Sequence, residues 1–364
     1  MDSKGQQPLN LTCRKVVTLA LFQLGLSAIF FTCVRMSGKP DPGTPVPGTL
    51  HPPKQPVNSL PIERRSSNLT ILLWTWPFGI PFAIERCSQV LGIPDCYITA
   101  NRSWYRKADA VIVHHRDVSS SPKRLPQEPR PASQRWVWFN LESPSASPNL
   151  GFMDNHFNLT MSYRRDSDIF SPYGTMEVLP RPQNVTVPPK SKLVAWVVSN
   201  WDLHSHRVKY YEELKKYLQV DVYGRHHSPL PDSKRFSTLS QYKFYLAFEN
   251  AIHEDYITEK VWRNAFRSWA VPVVLGPPRE NYENYMPPDS FIHIHDFPSA
   301  KELAKFLHEL DRNTTRYQSY FHWRSWLKPV GQFTYAQHFC KACRDLQKKP
   351  LQYQTVPALS KWFK

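Results

Sequence analysis

Two places in this chain hold residues whose types and spacing are suited to chemistry. The first is Glu142, in Asn140-Leu141-Glu142-Ser143-Pro144. It follows the apolar run Trp136 to Phe139, so it falls just past the carboxyl end of an expected strand, where open α/β sheets gather their reactive groups. A carboxylate there can accept a proton from an attacking hydroxyl. A loop glutamate is otherwise a solvated or capping residue. The second place is residues 244–286, which read as strand, loop, helix, strand and loop. Asp255 is placed to cap a helix over 255–268, in which Ile257, Val261, Trp262, Ala265, Phe266 and Trp269 form one apolar stripe. Glu259, Lys260, Arg263 and Arg267 lie opposite. An open helix N-terminus with a lysine in its first turns suits a diphosphate, and Lys260 is that lysine. A solvated helix face presents the same pattern, and spacing alone does not choose.

Other candidate groups are less specific. Asp166-Ser167-Asp168 has the spacing of a pair that holds a divalent cation under a nucleotide diphosphate, but so short a pattern is common by chance. A structural role with Arg164 or Arg165 competes with it. His114-His115-Arg116-Asp117 ends an expected strand, where buried, hydrogen-bonded histidines are the commoner outcome. Cys13 and Cys33 lie in the N-terminal segment, leaving Cys87, Cys96, Cys340 and Cys343, which allow three pairings. Cys340-Lys-Ala-Cys343 also has zinc-ligand spacing, although in an oxidising compartment four thiols more often form two disulfides. No Gly-x-Gly-x-x-Gly or Walker sequence is present, so diphosphate binding would rest on side chains and a helix end.

The elements that must position these groups alternate. Leu69 to Trp74, Ala110 to His114 and Trp136 to Phe139 read as strands, with a helix near Pro81 to Leu91. Further on, Leu193 to Val198 is a strand, Val208 to Leu218 a helix, Val220 to Tyr223 and Phe244 to Phe248 strands. Helix 255–268, strand Val271 to Leu275 and helix Lys301 to Leu310 complete the series. Strands alternating with helices imply parallel sheets. The expected organisation is an α/β protein of two domains, 67–190 and 191–364.

Residues 16–34 form an uncharged apolar run long enough to cross a bilayer at about 1.5 Å per residue. It exceeds a usual signal-peptide core and lacks an A-x-A-like site on its far side, so an uncleaved signal anchor is expected behind a cytosolic tail of residues 1–15. Residues 35–66 are proline-rich and read as an extended stem. Asn-x-Ser/Thr sequons at Asn68, Asn101, Asn158, Asn184 and Asn313 all follow the anchor and point to a lumenal catalytic region. The formal net charge of +16 favours anionic partners. No nucleic-acid-binding module is recognisable, so nucleic acid is not an expected partner.

From Leu69 onward the chain resembles the inverting α1,3/α1,4-fucosyltransferases that use GDP-fucose, most closely the animal Lewis-type members. The resemblance rests on residues 244–286, on Trp196-Val-Val-Ser-Asn-Trp201, on Trp138-Phe-Asn-Leu-Glu-Ser-Pro144 and on Tyr163-Arg-Arg-Asp-Ser-Asp168. It implies two Rossmann-like domains facing a cleft, the GT-B type, and it implies Glu142 as general base. It also implies donor contacts at Ser199, Arg207, Tyr245, Asn250, Tyr256, Glu259 and Lys260, with Tyr245 near the guanosine and Arg207 and Lys260 offsetting diphosphate charge. Phe78, Arg116 and Asp117 are the implied acceptor residues, and arginine rather than tryptophan at 116 goes with type 2 chains, Galβ1,4GlcNAc. The implied disulfides are Cys87–Cys340 and Cys96–Cys343, which return the C-terminal segment to the first domain.

No cofactor is implied as required: GDP-fucose is the donor substrate, and a divalent metal is at most stimulatory. The expected partners are GDP-fucose, glycan acceptors on glycoproteins and glycolipids, and the Golgi membrane. A membrane-tethered glycan-binding protein without turnover and a protein-directed fucosyltransferase are the alternative readings. The first would need neither Glu142 nor Lys260, and the second would reject free lactosamine.

Overall fold

The structure is a computed structural model that describes residues 68–84, 87–331, 334–348 and 354–364. The expected tail, anchor and stem therefore lie outside the described residues. Among those described, no helix is long and apolar enough to cross a membrane.

Two parallel sheets organise the chain. In the first, β1 (Leu69–Leu73), β2 (Cys96–Thr99), β3 (Ala110–His114), β4 (Arg135–Asn140), β5 (Leu159–Ser162) and β6 (Ile169–Phe170) stand in the order β2-β1-β3-β4-β5-β6. Near-continuous apolar runs such as Ala110-Val-Ile-Val-His114 are what a sheet covered on both faces demands, and every residue of β3 is buried. A two-stranded antiparallel pair joins β7 (Gly174–Val178) to β13 (Leu327–Gly331).

The second sheet contains β8 (Lys192–Val197), β9 (Asp221–Tyr223), β10 (Tyr242–Phe248), β11 (Val271–Leu275) and β12 (Ile292–His293). Its order is β12-β11-β10-β8-β9. Both sheets thus start in an inner strand, step to one side, then cross over to build the other. The winding reverses between β1 and β3 in one sheet and between β8 and β10 in the other. Such switch points open crevices beyond the strands' carboxyl ends.

Several elements differ from the sequence reading. The helix expected over 255–268 is a π-helix, Lys260–Phe266, and Asp255 does not cap it. Asp255 is 7% exposed with φ 63°, and its carboxylate is engaged elsewhere. Near residues 81–91, only Cys87–Leu91 is helical among the described residues, because the segment holding Pro81 stays irregular through Ile84. Helix 208–218 is His206–Leu214, one turn shorter at its end. Helix Tyr335–Lys348 had no counterpart in the sequence reading.

That last helix packs with the first sheet: Phe339, Cys340, Ala342, Cys343 and Leu346 share a core with β1, β3 and β4, as do Leu359 and Phe363. Disulfides Cys87–Cys340 and Cys96–Cys343 fix it there. Among the sequons, Asn101, Asn184 and Asn313 are exposed, and so is Asn68. Asn158 corrects the expectation, because it is 1% exposed and its side chain is occupied. Its Oδ1 accepts from the Trp136 backbone N–H at 2.8 Å, and its Nδ2 donates to the Gln354 carbonyl at 2.7 Å. The nitrogen that would carry a glycan faces the protein.

Candidate active site

The second sheet presents its cations at the switch point. Glu249 follows β10, and its backbone N–H continues the ladder to the Leu275 carbonyl. Its fully buried carboxylate accepts from the Thr258 backbone N–H at 2.8 Å, from Thr258 Oγ1 at 2.8 and 3.0 Å, and from Lys260 Nζ at 2.9 Å. Lys260 Nζ also reaches Thr258 Oγ1 at 2.8 Å and Glu259 Oε1 at 3.2 Å. Burial by itself would lower the lysine pKa. The Glu249 and Glu259 charges outweigh it and hold Lys260 well above the ordinary lysine range. Burial pushes the Glu249 pKa up, against the Lys260 charge, whereas at the partly exposed Glu259 the Lys260 charge outweighs partial burial and draws its pKa down.

Arg207 lies in the first turn of helix His206–Leu214, which follows β8 across the same switch point. It is 4% exposed, its Nη2 donates to the Asn200 carbonyl, and its Nε is buried without a partner among the described residues. Burial lowers its pKa, and the charges opposing that include Glu249 and Glu259. Arg207 and Lys260 therefore share one electrostatic neighbourhood. A buried guanidinium nitrogen without an acceptor is costly in isolation and is matched by an anionic ligand.

The first sheet supplies a carboxylate. After β4, the Glu142 N–H donates to Asn140 Oδ1 at 3.2 Å, and Asn140 Nδ2 donates to Ser147 Oγ at 2.7 Å. Tyr173 Oη holds the Leu141 carbonyl at 2.6 Å. The backbone around Glu142 is thus tied down, while its half-buried carboxylate makes no hydrogen bond or ion pair among the described residues. It lines a cavity of about 520 Å³ with Tyr173, Phe82, Tyr335 and His338 from the first-domain side, and Glu259 and Arg263 from the second. A cavity of this size suits a small ligand.

The connection between β10 and the π-helix docks on the loops that follow β4 and β5 of the first sheet. Asp255 Oδ2 accepts from the Arg165 N–H at 2.9 Å, and Oδ1 accepts from Asn281 Nδ2 at 2.9 Å. Ser145 Oγ lies 2.7 Å from His253 Nε2, and the Tyr163 and Tyr256 rings are 5.1 Å apart. The segment carrying Lys260 is consequently registered against the loop carrying Glu142.

The remaining expected residues fall into three positions. Ser199 and Asn250 are exposed just past β8 and β10, flanking the switch point. Tyr256 is 3% exposed at the domain contact. Tyr245 corrects the expectation of a guanosine contact: it is 0% exposed, packed under the π-helix, and its hydroxyl accepts from Asn264 Nδ2 at 2.9 Å. Its place on β10 points it into the core.

Phe78, Arg116 and Asp117 line a different cavity, of about 800 Å³, at the β1/β3 switch point. The Arg116 guanidinium lies 5.2 Å over the Phe78 ring, and His114 Nδ1 is 2.7 Å from Asp117 Oδ2. Trp76 of this cavity packs edge-on against Phe82 of the other, at 5.0 Å. Arg164 grips Asp166 with two bonds of 2.9 and 2.8 Å, and Asp168 accepts from Thr160, which gives that pair the structural role. The histidine pair is buried and hydrogen-bonded, and burial pulls the His115 pKa down to about 4.

Two sheets of like winding, with a carboxylate at the carboxyl edge of one and two cations at that of the other, define an α/β transferase. Residues 66–174 match the family model "Fucosyltransferase, N-terminal", and residues 187–362 match "Glycosyltransferase family 10 (fucosyltransferase) C-term". The chain is similar to 3-galactosyl-N-acetylglucosaminide 4-alpha-L-fucosyltransferase FUT3 of Pan troglodytes, with 51% identity over 375 residues and 100% of both chains covered. It is 50% identical over 377 residues to 4-galactosyl-N-acetylglucosaminide 3-alpha-L-fucosyltransferase FUT5 of Homo sapiens, again with 100% of both covered. A crystal structure of an alpha1,3-fucosyltransferase with GDP-fucose shares the fold at TM-score 0.52 and 17% identity, over 80% of this chain and 94% of that one. The chain belongs to glycosyltransferase family 10, the fucosyltransferases, and is an enzyme of the α1,3-fucosyltransferase kind.

Proposed function

We propose that this protein transfers L-fucose from GDP-β-L-fucose, with inversion, to O3 of the GlcNAc in type 2 N-acetyllactosamine glycans, giving Lewis x and sialyl Lewis x type products. The observation that carries the reading is the Glu142 carboxylate, unpartnered among the described residues and held by a tied backbone in a cavity whose far wall is Glu259 and Arg263. The acceptor oxygen attacks the fucose anomeric carbon while Glu142 takes its proton. The bond from that carbon to the diphosphate breaks, and GDP leaves with the electron pair. Arg207 and Lys260 stand where the diphosphate charge grows, and such preplaced charge stabilises the transition state more than the ground state.

Ser199, Asn250, Tyr256 and Glu259 complete the donor contacts. Tyr245 acts from beneath, through Asn264. Phe78, Arg116 and Asp117 hold the outer part of the acceptor. Arg116 favours the type 2 linkage. Both curated relatives are named for transfer to galactosyl-N-acetylglucosaminide, which supports the acceptor class. The reading calls on no metal as an obligate cofactor. The two disulfides and the exposed sequons support an oxidising lumen, with the protein as a single-pass type II protein of the Golgi membrane.

The test is incubation of the full chain with GDP-fucose and matched type 1 and type 2 disaccharides, with the product linkage read by NMR. Transfer to O3 of the type 2 acceptor is expected, and transfer to neither disaccharide would overturn the reading. Glu142→Gln should lower kcat by about a hundredfold or more while GDP affinity by calorimetry stays unchanged. Comparable turnover in that variant would remove Glu142 from the mechanism.

A further inference from the structure

One wall of the Glu142 cavity has no role in the mechanism above. It is the first turn of helix Tyr335–Lys348, from which Tyr335 and His338 both face the space in front of Glu142. The Tyr335 ring is set by three others. Phe82 lies 5.8 Å away, tilted by 32°, Phe339 stacks at 6.3 Å, and Phe139 meets it edge-on at 6.2 Å. Its hydroxyl has no hydrogen-bond partner among the described residues. Burial, then the charges of Glu142 and Asp117, push the phenol up to about 12, so it stays a neutral donor. The His338 ring is 3% exposed and fixed by a 2.7 Å contact between Nδ1 and Ser171 Oγ. Burial, then the Lys341 charge, pulls it down to about 3, which keeps it neutral.

An aromatic face with a free hydroxyl at its edge, beside a fixed imidazole, has the chemistry of a pyranose site. A sugar ring offers an apolar C–H face for stacking and a rim of hydroxyls for hydrogen bonds. The cations for a diphosphate, Arg207 and Lys260, follow β8 and β10 of the second sheet, whereas Tyr335 and His338 pack on Phe139 of β4 in the first sheet, the strand that Glu142 follows. Just beyond the two residues, Cys340 anchors the same helix to helix Cys87–Leu91 and Cys343 anchors it to β2 of the first sheet, which holds the wall in place beside Glu142.

We propose that Tyr335 and His338 form the inner acceptor subsite. The Tyr335 and Phe82 rings stack on the acceptor pyranose, and the Tyr335 hydroxyl and His338 imidazole hydrogen-bond its hydroxyls beside Glu142. This rests on the reading of Glu142 as the base for a sugar hydroxyl.

The test is steady-state kinetics of the full chain with Tyr335→Phe and Tyr335→Ala, varying acceptor and GDP-fucose separately. Tyr335→Phe loses one neutral hydrogen bond and should raise the acceptor KM about fivefold. Tyr335→Ala also loses the stacking face and should raise it more than about tenfold. Both should leave the GDP-fucose KM unchanged. Disulfide status by mass and an unchanged circular-dichroism spectrum establish that each variant is folded. An unchanged acceptor KM in folded Tyr335→Ala, or a GDP-fucose KM that rises in step, would overturn the inference, the latter by showing that the wall serves the nucleotide. If the unaltered chain transfers no fucose to either disaccharide, the functional reading itself fails, which is a separate result.

Discussion

All three ammonium hydrogens of Lys260 have acceptors within the protein: Glu249, Thr258 and Glu259. The contacts are not equal. Glu249 is fully buried at 2.9 Å, whereas the Glu259 side chain is 45% exposed at 3.2 Å. A diphosphate oxygen can replace Glu259 without disturbing the buried pair. Lys260→Ala would leave the Glu249 carboxylate buried without its counter-charge, a change that costs about 3–5 kcal/mol. Adding Glu249→Gln removes that penalty. The single variant should therefore be strongly destabilised in urea unfolding and the double variant much less so, with GDP affinity weak in both. Recovery of GDP affinity in the double variant would show that Lys260 serves only to neutralise Glu249. The sequence marks Lys260 through its place beside an apolar stripe. It does not mark Glu249, which ends the run Phe244 to Phe248 and acquires meaning only through pairing with β11. Asn158 fails in the opposite sense: a local motif identifies it, and non-local packing withdraws it.

At the scale of elements, the segment that carries Lys260 is wound wider than an α-helix. The Ala270 N–H reaches back five residues to the Ala265 carbonyl at 3.0 Å, and Trp262 Nε1 ties to the Ile257 carbonyl at 3.1 Å. Over so few residues the apolar stripe does not distinguish 3.6 residues per turn from a wider winding, which is why the sequence yields a helix here but not its kind. π-Turns of this sort recur at functional sites. Their position depends on what they pack against, and here that includes Gly174 at the start of β7. A Cβ at Gly174 would stand 2.3 Å from the Trp262 ring. Gly174→Ala must push the ring, and with it the turn holding Glu259 and Lys260. The expected result is a stability loss of about 1–3 kcal/mol together with weaker GDP binding. Normal GDP affinity in a destabilised variant would show that Trp262 moves without carrying the turn. Nothing in the sequence marks Gly174, because its constraint is contact with a residue far along the chain.

At the scale of the whole molecule, the strand and helix alternation was legible, and with it the two parallel sheets; the winding order and the closing helix were not. Helix Tyr335–Lys348 covers the first sheet although it follows the second in the chain, and the cysteine spacing alone allowed three pairings. The folded chain buries titratable groups. His338 on the helix and His115 after β3 are both buried, with pKa values drawn from 6.5 to about 3 and about 4 by loss of hydration. Each histidine therefore binds its proton more readily in the unfolded chain than in the folded one. Stability from this source is intact above about pH 6.5, falls as pH drops, and stops falling once the folded-state values are passed, near pH 4 for His115 and pH 3 for His338. Each pH unit of that gap is worth about 1.4 kcal/mol per group. Asp166, Asp232 and Asp296 have values below 3.8, so their loss of stability comes mainly at more acid pH and leaves most of the window from 6.5 to 4 to the histidines, with the raised Glu249 opposing their slope there and the lowered Glu259 adding to it only at the acid end. His227, His253 and His293 are displaced in the same direction and add to the slope. Urea unfolding at intervals from pH 7 to pH 4 should show stability falling steadily, and His338→Gln should reduce the slope by about one proton. An identical slope in that variant would mean that the closing helix opens and hydrates His338 before the rest of the fold gives way.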